Sequence, residues 1–217
     1  MRFGSLRRVR PISSTFGLER GRPIDRYYIE RFLESCAGEV RGHVLEIGTD
    51  MYTRMFGGGN VTDVDVLHVA EQRDPVTIIG DLTNAEHIPS DTFDCVILTQ
   101  TLQCIYDLDA AAGTVRRILK PGGVVLATLP GISKISRYDM DRWGYYWSFT
   151  TDSARRIFEH AFPADNVQVE AYGNVKAAVA FLHGLSVGEL RKRDLDFRDP
   201  DYQVIISVRA QKPEAVR

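Results

Sequence analysis

Short apolar runs that alternate with amphipathic segments constrain the fold of this chain more than any other feature of its sequence. Helical patterns cover residues 22–37, 107–119 and 151–161. Near-continuous apolar runs of about five to seven residues suit strands that are buried on both faces. Strands alternating with helices predict a doubly wound, mostly parallel sheet with right-handed crossovers. The five runs are HVLEI (43–47), VTDVDVL (61–67), VTIIG (76–80), FDCVILT (93–99) and GVVLATL (123–129).

The pattern changes after residue 163. Two further strands are predicted at residues 166–172 and 202–210, and residues 175–190 between them are mostly helical in pattern. The charged stretch RKRDLDFRDPD, which comes after that helix, is expected to be a loop. A late pair of strands at the sheet edge makes the sheet mixed. We therefore predict an N-terminal arm over residues 1–21 and a single domain over residues 22–217.

Composition narrows the partners of the chain. A formal net charge of −2 does not favour a nucleic-acid partner. Three cysteines without a CxxC pair argue for a reducing compartment and against a disulfide framework or a metal site. The uncharged stretch 121–133 is too short and too broken by Gly and Pro to span a bilayer. These features predict a cytoplasmic protein with a small-molecule substrate, and they leave a homodimer open. The basic stretch RFGSLRRVRP is expected to be a solvated, poorly ordered arm, with an anionic partner as the alternative.

Polar residues come directly after the predicted strands, where a ligand would bind. In open α/β sheets the ligand lies outside the carboxyl ends of the strands. Glu46 and Gly48 lie at the end of the first strand, Asp65 lies near the end of the second, Asp81 comes after the third and Thr99 ends the fourth. Carboxylates at such positions accept hydrogen bonds from ribose hydroxyls and an adenine amino group. A phosphate site would instead call for N–H donors and Arg or Lys side chains.

Four segments together resemble the class I S-adenosylmethionine-dependent methyltransferases. They are VLEIG (44–48), VTDVD (61–65), GDLTNAEHIPSDTFDCVILTQTLQCIYD (80–107) and RILKPGGVVLATLPG (117–131). The resemblance implies a Rossmann-like, seven-stranded sheet in the order 3-2-1-4-5-7-6 with its last strand antiparallel. It also implies S-adenosylmethionine as the cofactor and methyl transfer as the reaction.

The resemblance also implies roles for individual residues at the cofactor. Glu46 would lie near the methionine end, Asp65 on the ribose, Val66 or Leu67 against the adenine, and Asp81 near the adenine amine. Asp63 remains a rival to Asp65, since strand alternation puts both on one face. Asp81 has an alternative role as the cap of a short turn with Thr83. The predicted cofactor-binding set is Glu46, Gly48, Thr49, Asp65, Val66, Asp81, Leu82 and Thr99.

The chain departs from the family pattern in two places. The glycine loop keeps Gly48 only, and the first crossover helix is reduced to a turn or two around residues 52–56. A side chain therefore stands where backbone would approach the ligand, although Gly48 and Thr49 can still supply backbone donors. After the fourth strand, Leu102-Gln103-Cys104 replaces the Leu-Glu-His that many relatives have. The resemblance thus supplies no general base at that position.

The aromatic segment RYDMDRWGYYWSFT (137–150) comes after the fifth strand. It is predicted to belong to a substrate-binding lid formed by residues 131–150 and 173–200. The alternative is a lid that packs its own aromatic rings over the sheet edge. His183 has a further alternative as a buried, hydrogen-bonded histidine. The predicted substrate contacts are Arg137, Arg142, Trp143, Tyr146 and Trp147, and the candidate general bases are Asp139, Asp141 and His183.

The predicted activity is S-adenosylmethionine-dependent methylation, with a hydroxyl of a sugar, glycolipid or secondary metabolite as the expected acceptor. A binding or regulatory module that keeps the fold without catalysis is the alternative. An NAD-dependent enzyme is disfavoured because no GxGxxG comes after the first strand.

Overall fold

The computed structural model describes residues 8–70 and 74–215, and its centre is a seven-stranded sheet in the order β3-β2-β1-β4-β5-β7-β6. The strands are β1 (Gly42–Ile47), β2 (Val61–His68), β3 (Ile78–Ile79), β4 (Phe93–Thr99), β5 (Leu119–Pro130), β6 (Val167–Tyr172) and β7 (Ile205–Gln211). Strands β1 to β5 pair in parallel, and β7 is antiparallel to both β5 and β6. The predicted fold class, strand order and antiparallel last strand are confirmed.

Helices cover both faces of the sheet, as buried strands require. The helices are α1 (Ile24–Ser35), α2 (Met51–Phe56), α3 (Leu108–Ile118), α4 (Arg137–Trp143), α5 (Thr151–Ala161), α6 (Val175–Leu182) and α7 (Lys192–Asp196). On one face, α3 and α5 bury Val115 and Phe158 against Leu45 of β1. On the other face, α1 and α6 bury Tyr28 and Phe181 with Val44. The alternation of β1 side chains thus divides the core into two layers.

Two elements after β6 differ from the sequence prediction. The helix predicted over residues 175–190 ends at Leu182, because Gly184 adopts a left-handed φ of 71° and its Cα lies against the backbone of Ser13. The stretch predicted to be a charged loop contains α7, which buries Leu195 under the sheet. The charged residues around Leu195 obscured this single apolar position in the sequence pattern.

The first crossover is short, as predicted. Helix α2 has six residues, and its last turn runs into Gly57, which leaves no space for a side chain beside Val61 and the carbonyl of Thr53. A chain that turns this tightly reaches β2 after a single further turn. The shortened helix leaves the loop after β1 close to the sheet.

The segment before α1 is docked onto the last third of the chain. Backbone N–H groups of Ile12 and Ser13 donate to the carbonyl of His183, at 2.9 and 3.1 Å, and Pro23 forms an isolated bridge with Ser186. Part of the predicted arm, residues 1–7, lies outside the described residues. Among the residues described, no helix is long and apolar enough to cross a membrane. The same residues contain no cluster of His, Cys, Asp or Glu that could hold a metal ion.

Candidate functional site

The carboxyl ends of the strands meet at one edge of the sheet. Register places Ile47 beside Leu67, and Thr99 beside Thr128. Strand β6 runs parallel to β5, because both are antiparallel to β7, so Tyr172 ends at the same edge. The loops that could form a ligand site therefore start from this edge, as the doubly wound fold requires.

Glu46 is wholly buried and its carboxylate binds the start of α2. Its Oε1 accepts from the N–H of Tyr52 at 3.1 Å, and its Oε2 accepts from the N–H and hydroxyl of Thr53, both at 2.8 Å. Burial raises the pKa of Glu46, and these hydrogen bonds act in the opposite direction. The N–H groups of a first helical turn have no partner within the helix. Glu46 supplies that partner and so fixes the loop after β1.

Gly48 leaves open space beside the backbone at this edge. Its φ is 79°, and a side chain placed on its Cα would meet no atom within 4 Å. Its N–H donates to the carbonyl of Leu67 at 2.8 Å, which holds the loop against β2. The Gly48 N–H, predicted as a donor to the cofactor, is therefore already bonded within the sheet. Space beside a left-handed glycine at a strand end is what a ligand needs in order to approach the backbone.

Thr49 and Asp50 stand where the family pattern has further glycine-loop residues, and their side chains do not fill the space beside Gly48. The hydroxyl of Thr49 accepts from the N–H of Met51 at 3.2 Å. Asp50 forms an i,i+4 ion pair with Arg54 along the outside of α2. Both side chains are engaged with α2, and the backbone of the loop remains accessible.

Strand β2 does not end at Asp65. Three more residues extend it to His68, and Asp65 lies beside Leu45, short of the strand end. The carboxylate of Asp65 is paired with Nε2 of His43 at 2.7 Å and accepts from the hydroxyl of Thr77 at 2.6 Å. The ribose contact predicted for Asp65 stays a prediction, but these bonds give the side chain a structural partner on each oxygen.

Two of the predicted cofactor residues, one on β2 and one in the turn after β3, have buried side chains. Val66 is level with Glu46 and is buried, and Leu82 is buried in the core beside α3. Thr99 is the last residue of β4, and its carbonyl accepts from the hydroxyl of Thr101 at 3.0 Å. Val66 and Leu82 therefore contribute buried apolar side chains below the edge and no polar group at its surface.

Asp81 comes after β3 and is exposed. Its Oδ1 accepts from the N–H of Thr83 at 2.8 Å and from the Thr83 hydroxyl at 2.9 Å. This is the turn-capping role that the sequence left open as an alternative. Among the described residues Oδ2 has no protein partner, so one oxygen of Asp81 is available to a ligand.

The lid segment, residues 131–150, crosses the carboxyl edge. It leaves β5 after Pro130 and returns where the N–H of Phe149 donates to the Pro130 carbonyl at 2.9 Å. Between these points the ring of Trp143 contacts the ring of His68 at the end of β2, with centroids 5.6 Å apart. Three strand spacings, about 14 Å, separate β5 from β2 in this sheet order. The lid segment therefore spans the carboxyl edge from β5 to β2, with α4 packed beside residues 102–104 after β4.

The predicted substrate contacts separate into two groups. Arg137 is paired with Asp141, and the guanidinium of Arg142 lies 3.7 Å from the centre of the Tyr138 ring. These four residues are held within α4.

The remaining aromatic contacts anchor the lid. The indole N–H of Trp147 donates to the carbonyl of Ile105 at 2.9 Å, and the Tyr146 N–H donates to that of Gln103 at 2.7 Å. Of the predicted substrate contacts, only Trp143 touches a strand end through a ring or hydrogen-bond contact in the part of the chain described.

The candidate general bases are not brought together. Asp139 is on α4, which packs beside residues 102–104; burial raises the pKa of the Cys104 thiol to about 11, and the Asp139 carboxylate adds to the shift. Asp141 is half exposed and ion-paired. His183 comes directly after α6, and its Nδ1 is buried without a hydrogen-bond partner among the described residues. Asp139 is the candidate that faces the loop after β4.

Two residues at this edge were not among the predicted site residues. One is His68, which ends β2 and is buried. A signal was present, because the apolar run continues through Val66 and Leu67 to reach it. Gln103 is also buried, donates through Nε2 to the Gln100 carbonyl at 2.7 Å, and keeps an unpartnered Oε1 among the described residues.

Comparisons with known proteins agree with this geometry. Residues 45–127 match the family model described as a methyltransferase domain. The chain is 34% identical over 116 residues to the ubiquinone/menaquinone biosynthesis C-methyltransferase UbiE of Pasteurella multocida, which covers 45% of this chain and 43% of that protein. The Escherichia coli K12 protein of the same name is 30% identical over 116 residues. The chain thus aligns with less than half the length of these relatives.

Solved structures share the fold over most of the chain. An S-adenosylmethionine-dependent methyltransferase from Mesorhizobium loti superposes with a TM-score of 0.58 at 18% identity, covering 87% of this chain and 100% of that one. One from Archaeoglobus fulgidus gives 0.56 at 11% identity, covering 86% and 94%. The fold is the class I, Rossmann-like methyltransferase fold. Over residues 45–127 the chain is similar to a methyltransferase domain, and over most of its length it shares the fold of these enzymes.

Proposed function

We propose that the carboxyl edge binds S-adenosylmethionine and that the protein transfers the cofactor's methyl group to a small molecule. The observation that carries this proposal is the open space beside Gly48, at a left-handed backbone position between the ends of β1 and β2. At the carboxyl end of a strand, such space lets a cofactor approach the backbone, which a side chain at this position would prevent.

The residues present fit the cofactor. Backbone at Gly48 and Thr49 would receive its methionine part, and Oδ2 of Asp81 would accept from its adenine amine. Glu46 would act indirectly, because its carboxylate already holds α2. The cofactor supplies an activated methyl group on a sulfonium. The chain's own task is to place an acceptor within about 3 Å of that methyl group and to exclude water.

Two acceptor classes are supported by different observations. A hydroxyl of a sugar, glycolipid or secondary metabolite requires a base, and we favour Asp139 on α4, whose carboxylate contributes to the raised pKa of the Cys104 thiol. A carbon acceptor is supported by the relatives from Pasteurella multocida and Escherichia coli, which are named C-methyltransferases. The net charge of −2 favours a small molecule over a nucleic acid in either case.

The first experiment tests the cofactor. Saturating S-adenosylhomocysteine, at about 100 times its dissociation constant, should stabilise the fold by ~2.7 kcal/mol. Thermal unfolding with and without this ligand measures the effect. Absence of stabilisation by both S-adenosylhomocysteine and S-adenosylmethionine would favour the non-catalytic module instead.

The second experiment tests the acceptor class. Transfer of labelled methyl from S-adenosylmethionine is measured with sugars, phenols and quinols as acceptors. Asp139→Asn should lower O-methylation ~10²-fold, the usual effect of losing a general base. Asp141→Asn is the matched control on the same helix, and His183→Gln tests the third candidate. Transfer to carbon that survives Asp139→Asn would support the C-methyltransferase alternative.

A further inference from the structure

We propose that His68 and Trp143, rather than a carboxylate on β2, form the wall against which the adenosine part of the cofactor binds. The proposal rests on the proposed cofactor site and assigns residues within it. Two independent observations support it, the register of β2 and the course of the lid segment.

Register places His68 where the second strand meets the ligand edge. The N–H of Gly48 donates to the Leu67 carbonyl, and the N–H of Gly80 donates to the His68 carbonyl at 3.1 Å. His68 thus stands between the loop after β1 and the turn that carries Asp81. A nucleoside that spans these two loops has to pass directly over it. Asp65 lies three residues back along the strand and is bonded to His43 and Thr77.

Local contacts fix the orientation of the His68 ring. Its Nδ1 accepts from the N–H of Ala70 at 3.2 Å, and its side chain packs edge-on against Trp143 with rings at 76°. The aromatic pair offers a flat, partly apolar wall with polar edges, the chemistry that suits a ribose and a purine.

The lid segment brings Trp143 to this place from the far side of the edge. Gly144 ends α4 with a φ of 88°, and a side chain on it would collide with the ring of Tyr146. Tyr146 is itself held by its bond to Gln103. The turn at Gly144 therefore sets where Trp143 lies, above the end of β2. A cofactor on Gly48 would be enclosed between this helix and the strand ends.

The chain offers a direct readout because Trp143 and Trp147 are its two tryptophans. The Trp147→Phe variant retains Trp143 as its one tryptophan, and Trp143→Phe retains Trp147. Titration with S-adenosylhomocysteine should give a saturable change in the emission of Trp147→Phe and none in Trp143→Phe. Calorimetry on the same samples measures binding independently of fluorescence.

Affinity measurements complete the test. Trp143→Ala and His68→Ala should each raise the dissociation constant of S-adenosylhomocysteine about tenfold, the effect of one lost stacking contact. His68→Phe keeps a ring at the strand end and is used if the alanine variant does not fold. Asp63→Asn, an exposed change on the same strand, is the matched control and should leave affinity within about twofold.

Several outcomes would overturn the inference while leaving the proposed cofactor site intact. One is calorimetric binding to Trp147→Phe with no change in emission. Another is wild-type affinity in Trp143→Ala. A third is wild-type affinity in His68→Ala together with a large loss of affinity in Asp65→Asn. That result would indicate that the Asp65 carboxylate binds the ribose. If the wild-type protein itself does not bind S-adenosylhomocysteine, the proposed function fails and this inference fails with it.

Discussion

The two halves of the carboxyl edge, the end of β1 with Glu46 and the turn after β3 with Asp81, use their acidic residues in opposite ways. At the end of β1, Glu46 is fully buried and accepts three hydrogen bonds from the first turn of α2. After β3, Asp81 is exposed and uses one oxygen for its own turn. In the sequence the two residues look alike, since each is an acid at a strand end. The difference arises from the element after each strand. Strand β1 is followed by a helix whose first N–H groups need a partner, whereas β3 is followed by a turn that occupies one carboxylate oxygen.

The comparison indicates which half is structural and which can serve a ligand. A carboxylate enclosed by backbone donors stabilises the loop and has no oxygen left for a cofactor. A carboxylate in an open turn keeps one. Variants on the two sides should therefore separate loss of folding stability from loss of affinity.

The largest effect is expected at Glu46. Glu46→Ala removes three hydrogen bonds and leaves two buried N–H groups of α2 without a partner, which should lower the free energy of unfolding by about 3 kcal/mol. Urea denaturation measures the change. Asp50→Ala, in the same loop, removes only an ion pair along α2 and should cost less than about 1 kcal/mol. Equal losses would mean that the Glu46 carboxylate is not the anchor of this half.

Gly48 joins the two halves and gives the next effect. Gly48→Ala should cost about 1–2 kcal/mol of stability through its left-handed φ. It should also weaken S-adenosylhomocysteine by about 2 kcal/mol, or about thirtyfold, because the new methyl occupies ligand space.

The matched control for that variant is Gly58→Ala. Gly58 also has a left-handed φ, of 54°, and open space, but it lies in the turn before β2, at the other end of that strand from the ligand edge. Calorimetry should show full affinity with a similar stability loss. If both variants bind equally well, the space beside Gly48 is not the ligand site.

A smaller effect is expected at Asp81. Asp81→Asn should weaken S-adenosylhomocysteine by about 1.5 kcal/mol, roughly tenfold, through loss of a charged acceptor. Asp199 forms the same kind of turn, with its Oδ1 accepting from the N–H of Asp201 at 3.1 Å. Asp199→Asn should alter stability to a similar extent and leave affinity unchanged. A calorimetric titration in which both variants bind like wild type would remove Asp81 from the site.

The smallest effect concerns pH. Burial raises the pKa of Glu46 above its usual 4.5. The folded state therefore holds this proton more tightly than the unfolded state, and stability falls as pH rises from 4.5 through the raised pKa. Glu46→Gln does not titrate. The stability of wild type relative to this variant should decline over that interval and stay level above it. A relative stability that increases with pH would show that the bonds from α2 outweigh burial.

The fold was predictable because its signals are local and repeated. The apolar runs and the helices between them specify a doubly wound sheet, and the Lys-Pro-Gly-Gly segment marks the entry to the fifth strand. The first and last residues of the strands were harder to predict. Strand β5 begins at Leu119, ahead of that segment, since Gly122 with its φ of 79° lets the backbone continue into the sheet.

The candidate site was predictable only in part. Gly48 and Asp81 stand at the edge where their positions in the sequence place them. The sequence alone did not show that His68, rather than Asp65, ends β2, because the point at which β2 ends depends on its pairing with β1 and β3. The contact between Trp143 and His68 joins residues far apart in sequence, and no local pattern encodes it.

The docking of residues 12–23 onto the end of α6 has a consequence for how the protein folds. These contacts close loops of about 170 residues, whereas the strands from β1 to β5 pair within a much shorter stretch. Closing a long loop costs more chain entropy and slows the contacts that depend on it. The central five strands should therefore form first. Residues 12–23 are synthesised early, but they can bind only after Gly184 and Ser186 have reached their final positions. Their docking is therefore expected to be the last step of folding.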